Sequence, residues 1–319
     1  MTASEVARAL EQVGSLMVTS HVYPDGDAVG SMLALGIALK AAGKQVLLCS
    51  PHPVPEIYRF LPSWEEISVE EKWEGVQAVV YLDCTHMERT GPVCGPRDEG
   101  LVIFNIDHHV SNTGFGHYNL VDPEAAATAE LVYRVLKEMG LPINRDVATC
   151  LYTAIMTDTG SFKFDNTKKD TLVVASKLVE LGAEPGRIAR EVYDNKPLWA
   201  VALLARALAK IRLNERGDLA WTHLEQADYE ATGAREEDTE GIINYVRGIR
   251  GVEIGVLFRE LANGTVRVGF RTKQRVNAHE LAEAFGGGGH RRASGCTVEG
   301  SMDEVVYRVL SFAERLLHG

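Results

Sequence analysis

Seven residues of this chain are of the types that bind divalent metals, and they fall in four short clusters: His21, Asp25 and Asp27 in His21-Val-Tyr-Pro-Asp25-Gly-Asp27; Asp83; His108 and His109 directly after Asp107; and Asp158 in Met156-Thr-Asp-Thr-Gly160. Four carboxylates converging without counterions repel and raise one another's pKa. Two divalent cations remove that conflict, four positive charges meeting four negative ones. Imidazole mixed with carboxylate suits Mn²⁺, Fe²⁺, Co²⁺ or Zn²⁺ better than Mg²⁺ or Ca²⁺, which favour all-oxygen cages. No thiolate cluster accompanies these residues, so a structural zinc site is not indicated.

The clusters share a context. Hydrophobic, strand-like runs precede three of them: Ser15–Ser20 before His21, Val76–Leu82 before Asp83, and Leu101–Ile106 before Asp107. Parallel strands deliver their carboxyl ends to one edge of a sheet, where such folds bind ligands. Pro24 and Gly26 favour a tight loop around Asp25 and Asp27. Helices are expected at 28–42, 124–139, 146–156 and 168–181, with further strands at 45–50, 76–82 and 101–106. This βαβ rhythm predicts an α/β fold with a doubly wound, mostly parallel sheet over residues 1–185. A helical connector is expected at 186–214, with 197–213 as its long helix. A smaller α/β domain follows over 215–319, with the active site expected in the cleft between the two domains.

One segment of the second domain is basic. In Thr265–Arg275, Val266, Val268 and Phe270 alternate with Arg267, Arg271, Lys273 and Arg275, the pattern of a half-buried strand with one basic face. From Gly241 to Gly295 nine basic residues face four acids, a local charge of +5 in a chain of net charge −11. That contrast suits a small polyanion rather than long duplex DNA, whose binders usually show a broad basic footprint. The run Gly286-Gly-Gly-Gly-His-Arg-Arg-Ala-Ser-Gly295 offers backbone amides for a concave anion site, and His290, Arg291 and Arg292 add charged donors. Cys49, Cys84, Cys94, Cys150 and Cys296 are scattered and odd in number, which points away from a disulfide framework and towards a reducing cytoplasm. No apolar run approaches a membrane span. Met1–Gly14 reads as an amphipathic helix rather than a signal peptide. His52, His86 and His117 lack the strand-end placement of the metal-type residues and are read as structural.

Together, in this order, the clusters resemble the DHH phosphoesterases, and the Gly286–Gly295 run resembles the glycine-rich signature of their DHHA1 C-terminal domain. Two-domain chains of this length are most similar to the bifunctional group that degrades nanoRNA, as an oligoribonuclease, and dephosphorylates 3′-phosphoadenosine 5′-phosphate (pAp). The resemblance implies two divalent ions, usually Mn²⁺. One is held by His21, Asp25 and Asp83; the other is held by Asp27, Asp83, His108 and Asp158, with Asp83 bridging. It also implies that His109 faces the scissile phosphate, that Asp107 orients its neighbours, and that a hydroxide between the metals is the nucleophile. Catalytic roles thereby fall on His109, Asp83 and Asp107. Substrate-binding roles fall on Arg89, which matches a recurrent family arginine loosely, and on Arg271, Gly288, Gly289, His290 and Arg291.

The implied substrates are short single-stranded RNA or DNA oligonucleotides and pAp, handled in the cytoplasm. The resemblance is compatible with a homodimer, for which the sequence carries no feature of its own. A phosphodiesterase acting on cyclic or linear dinucleotides would use the same centre and stays open. An inorganic pyrophosphatase fits less well, because its C-terminal domain carries a Ser-Arg-Lys-type signature. A non-catalytic nucleotide sensor predicts a lost ligand, and all seven residues are present.

Overall fold

The computed structural model describes residues 1–70, 74–91, 100–289 and 291–318; Cys94 and His290 therefore lie outside the described residues. The chain divides into two compact units, Met1–Asn195 and Lys196–Gly319. The first contains α1 (Ala3–Glu11), β1 (Ser15–Thr19), α2 (Gly26–Ala41), β2 (Gln45–Cys49), β3 (Ile67–Ser68), β4 (Ala78–Leu82), β5 (Val102–Asp107), β6 (Tyr118–Val121), α3 (Thr128–Glu138), α4 (Arg145–Asp158), α5 (Lys169–Glu180) and α6 (Pro185–Ala189). Its six strands are all parallel, in the order β3-β2-β1-β4-β5-β6. Both faces of the central strands are covered, so Leu16, Met17 and Val18, and likewise Val79 through Leu82, are continuously buried rather than alternating.

The winding places the site. From β1 the chain builds outwards through β2 and β3, then returns to add β4, β5 and β6 on the other side. The reversal lies between β1 and β4, and a crevice opens there at the carboxyl ends of the strands. His21 follows β1 and Asp83 follows β4. Asp107, expected just past its strand, is instead the last residue of β5, fully buried and paired in register with Val121. Strand β6 itself was not foreseen. Its four residues, Tyr-Asn-Leu-Val, mix polar and apolar positions too briefly to show a period.

Helices α2 and α4 set the remaining distance. Helix α2 is apolar on every side and buried from Gly26 to Gly36, as a helix sandwiched between sheet and helices must be. A Cβ on Gly30 would stand 2.5 Å from the Cys150 carbonyl oxygen and 2.8 Å from Ala154 Cβ, and one on Gly26 would collide with Thr157. The two glycines thus allow a backbone approach that no other residue permits, and it brings the start of α2 to the end of α4. The tight loop expected to run through Asp27 ends two residues earlier. Asp25 is the N-cap of α2, its carboxylate accepting from Asp27 N and Ala28 N at 3.1 Å each, and Asp27 lies in the first turn.

The second unit holds α7 (Leu198–Ala209), β7 (Arg212–Leu213), β8 (Leu219–Leu224), α8 (Gln226–Thr232), α9 (Ile242–Gly248), β9 (Ile254–Glu260), β10 (Thr265–Thr272), α10 (Ala278–Glu283), β11 (Gly288–Gly289), β12 (Ala293–Glu299) and α11 (Met302–His318). Its sheet runs β11-β12-β10-β9-β8-β7, antiparallel except for β8 with β9. Val266, Val268 and Phe270 face a core shared with Val305, Val309 and Ala313 of α11. The long helix expected at 197–213 is α7, and it packs within this unit through Leu203 and Ala207. The basic face of β10 is shorter than its sequence suggested. The strand ends at Thr272, so Lys273 and Arg275 lie beyond it, and Arg267 is ion-paired with Glu236. Among the described residues, no helix is long and apolar enough to cross a membrane.

Candidate metal centre

The strand ends and the α2–α4 contact bring His21, Asp25, Asp27, Asp83, His108, His109 and Asp158 together in the first unit. Their ligand atoms form overlapping groups: His21, Asp25 and Asp83; Asp27, His108 and Asp158; and Asp83, His108 and His109. His21 Nε2 lies 3.3 Å from Asp83 Oδ2 and 3.9 Å from Asp25 Oδ1. His108 Nε2 faces three carboxylates, with Asp83 Oδ1 at 3.5 Å, Asp158 Oδ2 at 3.6 Å and Asp27 Oδ2 at 3.8 Å. Asp83 turns one oxygen towards His21 and the other towards His108. Its φ of 58° is a left-handed conformation that aspartate tolerates better than most side chains.

These spacings fit metal ligation. At 3.5–3.8 Å the His108 contacts are too long for hydrogen bonds. Donors around one ion, at bonds of about 2.0–2.2 Å, stand about 3–3.5 Å apart. Burial works against charge on His21, but the hydrogen bond it donates to Asp83 and the charges of Asp25 and Asp83 overcome it and raise the imidazole to about 9. His108 likewise rises to about 9, burial being outweighed by Asp158, Asp83 and Asp27. Burial and the neighbouring carboxylates push Asp158 up to about 7 and Asp27 well above the usual range. Asp83 goes the other way: burial is outweighed by His109, His21 and His108, which hold it well below that range. The acids and imidazoles thus balance each other only by taking up protons, and divalent cations would displace those protons.

Asp107 does not point into this cluster. Its Oδ1 accepts from His109 Nδ1 at 2.7 Å and from His109 N at 3.2 Å, and its Oδ2 accepts from Asn112 Nδ2 at 2.6 Å. His109 is near enough to group with Asp83 and His108, but its Nδ1 is committed to Asp107, which favours a substrate-facing Nε2 over metal ligation. Arg89 stands beside His21 in the short turn Met87–Thr90. Its carbonyl accepts from Val22 N at 2.7 Å, and its half-buried side chain leaves Nε without a hydrogen-bond partner among the described residues.

Two supports escaped the sequence reading. Asp27 accepts from Thr128 N at 2.6 Å through Oδ2 and from Ala129 N at 3.0 Å through Oδ1. It thereby caps α3 from 101 residues away, with its negative charge at the helix N-terminus. The Thr128 hydroxyl donates to Asp83 Oδ1 at 2.9 Å. Thr128 therefore orients both carboxylates, yet in Ala-Ala-Ala-Thr-Ala it reads as an ordinary helix start. Asn112 was equally silent, an asparagine in a polar loop.

The substrate candidates of the second unit stand on their own sheet. Arg271 of β10 pairs with Gly255 and Ala293. Arg247 lies close enough that burial, followed by the Arg271 charge, lowers its pKa. Gly288 and Gly289 form β11 against β12, where a Cβ on Gly289 would stand 2.7 Å from the Ala293 carbonyl oxygen. Gly287 N donates to Ala282 O at 2.9 Å and Gly286 N to Glu283 O at 3.0 Å, so much of the glycine run serves close packing. Arg291 is exposed, and its carbonyl accepts from Ala278 N at 2.7 Å.

Comparison with known proteins agrees with this architecture. The family model of the DHH family, N-terminal domain, matches residues 15–155, and that of the DHHA1 domain matches residues 226–319. A Thermus thermophilus protein named bifunctional oligoribonuclease and PAP phosphatase NrnA is 37% identical over 96% of this chain and 91% of its own length. A Bacillus subtilis protein of the same name is 29% identical over 98% of each chain. Among solved structures, an exopolyphosphatase-related protein from Bacteroides fragilis superposes with a TM-score of 0.88 at 25% identity, covering 99% of this chain and 97% of that one. On sequence, fold and the arrangement of its acidic and histidine residues, the chain belongs to the DHH family.

Proposed function

We propose that this protein is a metal-dependent phosphoesterase that hydrolyses short oligoribonucleotides to mononucleotides and removes the 3′-phosphate of pAp. The observation that carries this reading is the convergence of His21, Asp25 and Asp83 in one ligand group and of Asp27, His108 and Asp158 in another, with Asp83 turning one oxygen to His21 and the other to His108. The names of the 37%-identical and 29%-identical relatives supply the substrate class.

In this reading His21, Asp25 and Asp83 hold one divalent cation, and Asp27, Asp83, His108 and Asp158 hold the other, Mn²⁺ being the preferred ion. Such a pair supplies Lewis-acid polarisation of phosphoryl oxygens and a water of lowered pKa. The chain's own residues do the rest. Thr128 and the amides at the start of α3 fix Asp27 and Asp83 in place. Asp107 holds Nδ1–H of His109, so that Nε2, in the protonated ring, donates to a phosphoryl oxygen and passes its proton to the departing sugar oxygen. Arg89, beside His21, offers its guanidinium to the phosphate. In the second unit Arg271 and Arg247 offer two guanidiniums to an anionic group. The products balance: pAp and water give AMP and inorganic phosphate, and a 5′-phosphorylated dinucleotide and water give two mononucleotides. The net charge of −11 weighs against long duplexes as partners.

The test is to incubate the Mn²⁺-loaded protein with pAp, with short and long RNA and DNA labelled at either end, with cyclic dinucleotides and with pyrophosphate. Release of AMP from pAp and of mononucleotides from short RNA is expected. Turnover confined to pyrophosphate, or to cyclic dinucleotides, would overturn the reading.

A further inference from the structure

Asn166 is not one of the metal-type residues, yet it joins two segments of the metal centre. Its Nδ2 donates to the Ala126 carbonyl at 3.0 Å and to the Asp158 carbonyl at 3.2 Å, across 40 and 8 residues of chain. An amide nitrogen carries two hydrogens, so it serves both carbonyls at once. The reversed amide would set its oxygen against two others, which fixes the orientation. Its Oδ1 is buried without a hydrogen-bond partner among the described residues. A buried acceptor left unmet is destabilising, and a leucine of similar volume would avoid it. What the asparagine contributes therefore lies in the two bonds from its nitrogen.

The loop after α4 returns Asn166 to the end of that helix. Gly160, Ser161 and Phe162 have φ of 56°, 62° and 62°, a left-handed turn that disfavours non-glycine residues and persists only where the surroundings enforce it. Here Ser161 N donates to the Met156 carbonyl at 2.7 Å and Phe162 N to Thr159 Oγ1 at 3.0 Å, while Lys163 N and Phe164 N reach the Thr159 carbonyl at 3.0 and 3.1 Å. The chain reverses, and Asn166 meets the carbonyl of Asp158, the last residue of α4. That carbonyl is one of the four at a helix end that no intrahelical amide serves.

Ala126, the other partner, belongs to a buried strap, residues 125–129. The Ala125 carbonyl accepts from His108 Nδ1 at 3.2 Å, the Thr128 and Ala129 amides donate to Asp27, and the Thr128 hydroxyl donates to Asp83. His108, Asp27 and Asp83 thus share one support. Asp158 completes the group with Asp27 and His108, but among the described residues no hydrogen bond runs from the strap to its carboxylate. Asn166 supplies the tie. His21 and Asp25 are held differently, His21 Nδ1 by the Val22 carbonyl at 2.9 Å and Asp25 by the amides of Asp27 and Ala28. Those bonds all fall within residues 21–28.

We propose that Asn166 is a positioning residue: it fixes Asp158 against the strap and so sets the spacing of the Asp27–His108–Asp158 group without touching a ligand atom. The inference rests on the dimetal reading above and deepens it. Occupancy of one group depends on Asn166, and occupancy of the group containing His21 and Asp25 does not.

The experiment titrates the metal-stripped full chain with Mn²⁺ alone and counts bound ions by equilibrium dialysis in wild type, Asn166→Ala and Asn166→Leu. Leucine keeps the volume and lacks both donors, and circular dichroism checks the fold of each variant. Wild type should bind two Mn²⁺. In the variants one ion should bind as in wild type and the other about 10–100-fold more weakly, the range for losing a residue that orients a ligand. Asp158→Asn should weaken the same ion, and adding Asn166→Leu should weaken it little further, because the tie acts through Asp158. Equal weakening of both ions, weakening of neither, or additive losses in the double variant would overturn the positioning role. Loss of the fold in both Asn166 variants would make the role structural and reject it as well. A wild type that bound fewer than two Mn²⁺ would sink the dimetal reading and this inference with it. With two ions bound but neither pAp nor short RNA hydrolysed, only the substrate reading falls, and the ion count still decides Asn166.

Discussion

At the scale of single residues, the site depends on side chains that are not themselves ligands. Asp107 is fully buried and spends both oxygens on His109 and Asn112. Asp107→Asn should therefore lower kcat by about 10²–10⁴, the range for a disabled acid–base group. Metal content should stay unchanged, as checked by elemental analysis beside steady-state kinetics. Thr128 works differently, because its hydroxyl meets Asp83, the carboxylate that turns one oxygen to His21 and the other to His108. Thr128→Val keeps the shape and removes that bond. Metal affinity should fall about 10–100-fold, the usual cost of losing a residue that orients a ligand. Activity should recover at high Mn²⁺, and a metal titration of activity reads this directly.

At the scale of elements, the spacing of Asp27 and Asp158 is set by how closely α2 and α4 approach. Gly30→Ala places a methyl group 2.5 Å from a backbone oxygen and 2.8 Å from Ala154 Cβ, and no rotamer relieves it. Overpacking of this kind costs about 1–3 kcal/mol, more than the ~1 kcal/mol of helix propensity that alanine adds over glycine. The variant should unfold at lower denaturant and bind metal more weakly, although residue 30 touches no ligand. Gly248→Ala in α9 meets nothing within 4 Å and should do neither. Most elements were legible in the sequence because their cues are local. Gly43 stops α2, the alternation in β10 has a period of two, and Asn144 caps α4. Strand β6 and the start of α2 were not, since one is too short to show a period and the other begins on a Pro-Asp-Gly sequence that reads equally well as a turn.

At the scale of the whole molecule, the cluster makes stability depend on pH and metal together. His21 and His108, raised from 6.5 to about 9, stabilise the metal-free fold fully below about 6.5, and that contribution is lost as pH rises through about 9. Asp158, raised from 3.8 to about 7, has the same sign over its own window, because the folded state holds its proton longer. The melting temperature of metal-stripped protein should fall from pH 6.5 to pH 9. Saturating Mn²⁺ should flatten or reverse that slope, since cations replace the protons and bind better as the ligands lose them. Calorimetric scans with and without metal check it.

The sequence by itself determined the chemistry on offer: seven metal-type residues in order, strand-like runs before three of their clusters, and a basic, glycine-rich segment at 241–295. Those are properties of residue type and short spacing, which one-dimensional patterns carry. The tertiary structure alone decided the pairings. Asp83 divides its oxygens between His21 and His108, Asp27 caps a helix that begins 101 residues later, and Tyr23 stacks on His52 across 29 residues. Such contacts follow from strand order and from the closeness of α2 to α4. Both are fixed by packing the whole unit, and no local pattern encodes them.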